Sequence, residues 1–194
     1  MSDLLWEDIK VWFDPYLNGA LPDIHIPATT AADWQKLLDL LQSEDWQVAY
    51  LIDDEQHPLP TTADDILGVP DKVGVQLNVR PAPGILAIFR PYEAEQIDFD
   101  VDLRELQGQH QVDLLFRFLT TIGRRLRKPV LMTPEGTGNE PVLGYHPEVD
   151  QIVLLTDDGS PWHEDRSAGR ARWPRNDITA TGDRECPGEP GSYS

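Results

Sequence analysis

The chain has 194 residues and a formal net charge of −18 at pH 7, from 34 acidic and 16 basic side chains. Hydrophobic residues make up 40% of it, and no apolar run approaches the roughly 18 residues that a membrane-spanning helix requires. The length predicts one folded unit with a sizeable core, and the acidity makes direct binding to nucleic acid or to anionic lipid unfavourable.

The amino terminus and the cysteine content both bear on the cellular compartment. The first ten residues carry acids where a secretory signal would carry Lys or Arg. The one cysteine, Cys186, cannot form a disulfide within the chain, which agrees with a reducing compartment. We therefore expect a cytoplasmic protein with no membrane association.

The first part of the sequence predicts two helices and two extended segments. Apolar residues recur at helical spacing in residues 4–14 and 31–42. Between these helices, residues 23–26 alternate polar and apolar side chains and are flanked by prolines, which favours a brief extended piece. Residues 46–52 have the composition of a strand, and the charged segment 53–60 is predicted to be the loop that ends it.

The middle of the sequence predicts a three-stranded antiparallel meander. A short helix around Ile66 precedes it. Residues 73–79 and 97–103 alternate apolar and polar side chains, which is typical of half-buried strands. Residues 85–89 form a continuous apolar run, which predicts a central strand buried on both faces.

The longest predicted helix covers residues 110–127 and has a wide apolar stripe. A strand at 130–132 and a closing hairpin up to residue 155 follow it. We therefore predict one α+β domain over residues 1–155, with a mostly antiparallel sheet of five or six strands and helices packed on one face. Residues 156–194 are rich in Gly and Pro and show no apolar periodicity, so we predict a disordered tail there.

Two acidic segments provide the candidate binding residues. Three aspartates in the predicted strand 97–103 share one face at a spacing of about 7 Å. Three more acids lie together in the predicted loop after residue 52. Either segment could instead be a solvated surface, and the strand face could serve as a charged guard against edge pairing. The predicted partner contacts are Asp98, Asp100, Asp102, Asp53, Asp54 and Glu55.

Motifs for catalysis or cofactor binding are missing from the sequence. No serine lies in a nucleophile elbow, no two of the five histidines have the spacing of a helical zinc site, and the aspartate triplet lacks the glycine and glutamate of a calcium loop. The basic residues of segment 124–128 are interpreted as complementing the dipole of the preceding helix. We predict no catalytic residue, no metal site and no cofactor.

These observations favour a non-enzymatic protein-binding module over an enzyme. The acidic surface predicts a basic protein partner, which the chain would occlude as an immunity protein occludes a nuclease toxin. Two alternatives stay open at this point. One is a hydrolase that holds a divalent metal ion with some of the same carboxylates, and the other is a structural or scaffold protein that interacts through its tail. The sequence leaves the oligomeric state open.

Overall fold

The structure is a computed structural model, and it describes residues 4–69, 74–135 and 140–155. Nine strands of these residues form one sheet, in which every neighbouring pair is antiparallel. The strands are β1 (Asp23–Ile26), β2 (Gln47–Ile52), β3 (Glu55–His57), β4 (Val75–Ala82), β5 (Ile85–Arg90), β6 (Ile97–Val101), β7 (Val130–Thr133), β8 (Leu143–His146) and β9 (Gln151–Leu154). Their order across the sheet is β3-β2-β4-β5-β6-β1-β7-β8-β9.

The described residues also form five α-helices and two short 3-10 helices. The 3-10 helices cover Lys10–Phe13 and Leu103–Glu105. The α-helices are α1 (Trp6–Ile9), α2 (Pro15–Asn18), α3 (Ala31–Ser43), α4 (Ala63–Leu67) and α5 (Gln109–Leu126). The predicted α+β class and the antiparallel meander, which is β4, β5 and β6, are confirmed.

The predicted number of five or six strands is wrong, because the sheet has nine. The short extended segments near the two ends of the domain all join the same sheet, since β1 pairs with β6 on one side and with β7 on the other. The predicted loop 53–60 also contains a strand. Asp53 and Asp54 have φ values of 50° and 66° and close a tight turn, after which β3 pairs back on β2.

The predicted first helix, residues 4–14, is interrupted. A 3-10 helix follows α1, and α2 begins at Pro15, a residue whose fixed φ suits the first position of a helix. The Asp14 side chain caps α2 by accepting from the backbone N–H of Tyr16 at 2.8 Å. The apolar face itself is present, since Ile9 and Phe13 are fully buried.

The core lies between the sheet and the helices α3 and α5. The Phe89 and Phe99 rings stack with centroids 4.3 Å apart, and Phe118 of α5 packs edge-on against both rings. We call the opposite side of the sheet the open face. The prediction that β5 is buried on both faces is wrong, because Leu86 and Ile88 on the open face are only half-buried.

Some predictions lie outside the described residues. They include the disordered tail at 156–194 and the first residue of the strand predicted at 73–79. Position 74 of that predicted strand is described but precedes β4. No helix within the described ranges has the length and apolar character needed to cross a membrane.

Gly123 allows helix α5 to pack closely against Tyr145 of β8. A Cβ atom added to Gly123 would collide with the ring of Tyr145. An unhindered Gly→Ala change inside a helix stabilises a protein by about 0.5–1 kcal/mol. Here we expect Gly123→Ala to lower the free energy of unfolding by about 1–3 kcal/mol, as overpacking does, in a urea denaturation experiment. An increase in stability would contradict this packing.

Candidate binding site on the open face

A polar pocket of about 500 Å³ lies on the open face, across the strands β5, β6, β1 and β7. We call it the β1 pocket, because β1 runs through its centre. Acidic, basic, aromatic and amide side chains all contribute to it. Its lining residues are Asp23, His25, Arg90, Tyr92, Gln96, Asp98, Asp100 and Thr133.

The register of β1 brings these side chains together. Asp23 lies directly opposite Asp100 of β6 on one side and Thr133 of β7 on the other. His25 lies opposite Asp98. Side chains at opposed positions on one face have Cβ atoms about 4.5–5.5 Å apart. Three carboxylates and an imidazole from two adjacent strands therefore share a small area of the open face.

Two of the three carboxylates have partners within the chain. The Arg90 guanidinium forms an ion pair with Asp100. The side-chain amide of Gln96 donates to Asp98 Oδ1 at 2.7 Å, which leaves the second oxygen of that carboxylate available. The pocket therefore remains negatively charged after Arg90 has neutralised one of its carboxylates.

The third carboxylate, Asp23, has no hydrogen bond or ion pair with any of the described residues, and neither does the imidazole of His25. Burial raises the pKa of Asp23, and the neighbouring charges of Asp100 and Asp98 raise it further. Burial lowers the pKa of His25, against the opposing effect of Asp98 and Asp23. At neutral pH, His25 is therefore mostly uncharged and adds an acceptor or donor rather than a positive charge.

Thr133 adds a buried polar group without a partner. Its exposed fraction is 5%, and its hydroxyl oxygen makes no hydrogen bond within the part of the chain that the structure describes. Leaving a buried hydroxyl unpaired costs about 1–3 kcal/mol. Such a group beside an unpaired carboxylate is typical of a surface that a ligand completes.

Among the residues predicted from the sequence, Asp98 and Asp100 line the β1 pocket, whereas Asp102 lies beyond the end of β6. The Asp102 side chain caps the 3-10 helix at Leu103 and forms a two-point ion pair with Arg104, at 2.9 Å from Nε and 2.6 Å from Nη2. The Arg104 guanidinium lowers the pKa of Asp102. This carboxylate is therefore engaged within the chain.

The second acidic segment lies elsewhere on the sheet. Asp53, Asp54 and Glu55 are exposed at the turn between β2 and β3. Three strand spacings, or about 14 Å, separate β2 from β6. The structure does not bring the two acidic segments together, and the role of the β2–β3 turn in partner binding stays a prediction.

The basic residues at the end of α5 make contacts of their own. Arg124 forms a two-point ion pair with Asp150, with distances of 2.6 and 2.8 Å, and the Tyr145 hydroxyl donates to the same carboxylate at 2.8 Å. These bonds hold the pKa of Asp150 down at about 2, while burial and Asp150 raise the pKa of Tyr145 to about 12. Lys128 donates to the carbonyl of Ala28 at 2.6 Å. These contacts connect α5 to its neighbours in the fold.

Within the described ranges, no three His, Cys, Asp or Glu side chains converge in a way that could hold a metal ion. No protein-family model, no curated protein and no solved structure matches the chain. The β1 pocket is therefore interpreted from its own chemistry.

Six residues of the β1 pocket were not predicted from the sequence. They are Asp23, His25, Arg90, Tyr92, Gln96 and Thr133. The alternation in residues 23–26 was a usable signal, because it places Asp23 and His25 on the same face of an extended segment. Nothing in the sequence shows which strands lie beside that segment. No pattern in the sequence marked Thr133 as a site residue.

The pKa of Asp23 predicts an unusual effect of substitution. A carboxyl group whose pKa is raised in the folded state destabilises the protein as the pH rises above the unfolded pKa, and this cost is complete above the folded pKa. We therefore expect Asp23→Asn to raise the free energy of unfolding at pH 7, and the gain to disappear below about pH 4, where the carboxyl is protonated in both states. Denaturant unfolding at several pH values measures this.

Asp102→Asn is the matched control. Because the pKa of Asp102 is lowered, this substitution should lower the free energy of unfolding rather than raise it. Its ionised form stabilises the folded state above the unfolded pKa, and this contribution is lost as the pH falls. We expect a loss of up to about 1 kcal/mol at pH 7. If both variants changed the free energy of unfolding equally at pH 7, the folded state would not raise the pKa of Asp23.

Proposed function

We propose that this chain is a non-enzymatic binding protein that holds a basic protein partner on the open face of its sheet, at the β1 pocket. The observation that carries the proposal is the unpaired Asp23 carboxylate, beside Asp98 and the unpaired buried hydroxyl of Thr133. These groups are acceptors without matching donors. A cationic partner supplies the donors that the described residues do not.

The charge of the whole chain supports the same type of partner. A net charge of −18 creates a field that steers basic proteins towards the surface and raises their association rates. Tyr92 lies at the rim of the pocket with 73% of its surface exposed. Tyrosine is among the residues enriched in the energetic centres of protein interfaces. The pocket thus combines an attractive charge with an aromatic contact.

An inhibitor of a nucleic-acid-cleaving toxin is the specific form of this function that we propose. Enzymes that bind nucleic acid carry basic surfaces for the phosphate backbone. An acidic protein that occupies such a surface blocks the substrate, as an immunity protein does. The proposed setting is the cytoplasm of the cell that must be protected from the toxin.

The metal-dependent hydrolase is less well supported. That function needs a few carboxylates to converge on one ion. The two acidic segments predicted from the sequence do not meet, since about 14 Å separates their strands. The carboxylates of the β1 pocket do not form a metal-ligand group either, within the residues that the structure describes. The scaffold alternative concerns the tail at 156–194, which lies outside those residues.

The test compares two charge-reversed forms of the full chain as bait in pull-downs from native cytosol. Asp23→Lys with Asp98→Lys alters the β1 pocket, while Glu44→Lys with Asp45→Lys alters two exposed acids just before β2 by the same total charge. We expect the wild type and the control variant to retain a basic protein at low salt and to release it at high salt. The variant altered in the β1 pocket should fail to retain this protein.

Stopped-flow kinetics with the purified partner complete the test. Reversal of Asp23 and Asp98 is expected to slow association at low salt by about 10-fold or more, because steering and specific contacts are lost together. If both double variants slow association equally, the effect belongs to net charge and the site assignment is wrong. If no basic protein depends on the pocket, the proposed function is wrong.

A further inference from the structure

We infer that the β1 pocket is a receptor for a single arginine side chain of the partner, which inserts its guanidinium between Asp23 and Asp98. This inference rests on the proposed function and identifies the chemical group that the pocket recognises. Three observations support it. The pocket contains unpaired acceptors, Arg90 already forms an ion pair there, and the ring of Tyr92 is exposed at the rim.

The unpaired acceptors of the pocket are spread over three adjacent strands. Both oxygens of Asp23 and the hydroxyl of Thr133 have no donor among the described residues, and Asp98 has one oxygen that Gln96 does not engage. Asp23 and Thr133 are opposed neighbours, while Asp98 lies one row further along β6. A ligand that satisfies them must present several donors in different directions at once.

A guanidinium meets this requirement better than an ammonium does. It is planar, carries five N–H donors in a fixed fork, and is less strongly hydrated than the ammonium of lysine. Two-point bonds to carboxylates are its characteristic contact. A lysine ammonium has three donors around one atom, so it bonds only acceptors that converge within about 3 Å of that nitrogen.

The chain already binds one guanidinium in this pocket. Arg90 extends from β5, opposite Asp98, and pairs diagonally with Asp100. This ion pair neutralises one of the three carboxylates and leaves Asp23 and Asp98 for a second cation. The pocket volume of about 500 Å³ accommodates another guanidinium and its aliphatic stem.

Tyr92 and His25 complete the recognition. The exposed ring of Tyr92 at the rim offers a face on which a guanidinium plane can stack. His25 sits opposite Asp98 and, in its uncharged form, does not repel an incoming cation. A cation between the carboxylates also relieves the mutual repulsion that raises the pKa of Asp23.

The experiment titrates the full chain with N-acetyl-arginine amide and follows backbone amide signals by NMR. N-acetyl-lysine amide carries the same charge and N-acetyl-citrulline amide has nearly the same shape without charge, so these two are the matched probes. We expect saturable shifts at Asp23, His25, Asp98 and Thr133 with the arginine probe. The lysine probe should bind at least about fivefold more weakly, and the citrulline probe should leave these signals unchanged.

Two variants test the residues. Asp23→Asn is expected to weaken binding of the arginine probe about 10-fold, and Thr133→Val, which keeps the side-chain shape, about 3- to 10-fold. Asp45→Asn removes an exposed charge outside the pocket and should change the affinity by less than about twofold. A circular dichroism spectrum and a melting curve verify that each variant is folded.

The outcomes separate this inference from the proposed function. Equal affinity for the arginine and lysine probes, or shifts centred on the β2–β3 turn, would overturn the arginine receptor even if a basic protein still requires the pocket. Saturable arginine binding that depends on Asp23 and Thr133 would support the receptor even if no basic protein is retained in the pull-down.

Discussion

The pairing of β1 on both of its edges holds the fold and the candidate site together. This four-residue strand connects the strands β2 to β6 with the closing strands β7 to β9. Ile24 and Ile26 are fully buried on its helix side, whereas Asp23 and His25 line the β1 pocket on its open side. Because successive side chains in a strand point to opposite faces, the same residues anchor the core and form the site. A shift of one residue in register would exchange these roles.

Among the described residues, the aspartates with shifted pKa values fall into two groups. Asp102 and Asp150 are paired with arginines, which lower their pKa values. The pKa of Asp23 is raised by burial and by like charges. The unpaired Asp23 carboxylate in a concave surface is the feature on which the proposed binding site rests. Burial within a pocket distinguishes Asp23 from the exposed acids of the surface.

The sequence predicted the periodic elements well. The predicted helices at 31–42 and 110–127 match Ala31–Ser43 and Gln109–Leu126 to within one residue at each end, because long amphipathic patterns are strong signals. The turn at Asp53 and Asp54 was read as a loop, since it lacks the glycine that usually marks such a hairpin. Most of the β1 pocket was equally out of reach, because only Asp98 and Asp100 of its eight lining residues were predicted. Which strands flank residues 23–26 depends on contacts with segments roughly 75 and 110 positions further along the chain, and no local pattern encodes them.

A structure of the complex with the captured partner tests the central claim most directly. We expect that a cationic side chain of the partner contacts the carboxylates of Asp23 and Asp98, and that the partner surface covers Tyr92. A partner bound at the β2–β3 turn or against the helices, with the β1 pocket left exposed to solvent, would contradict it.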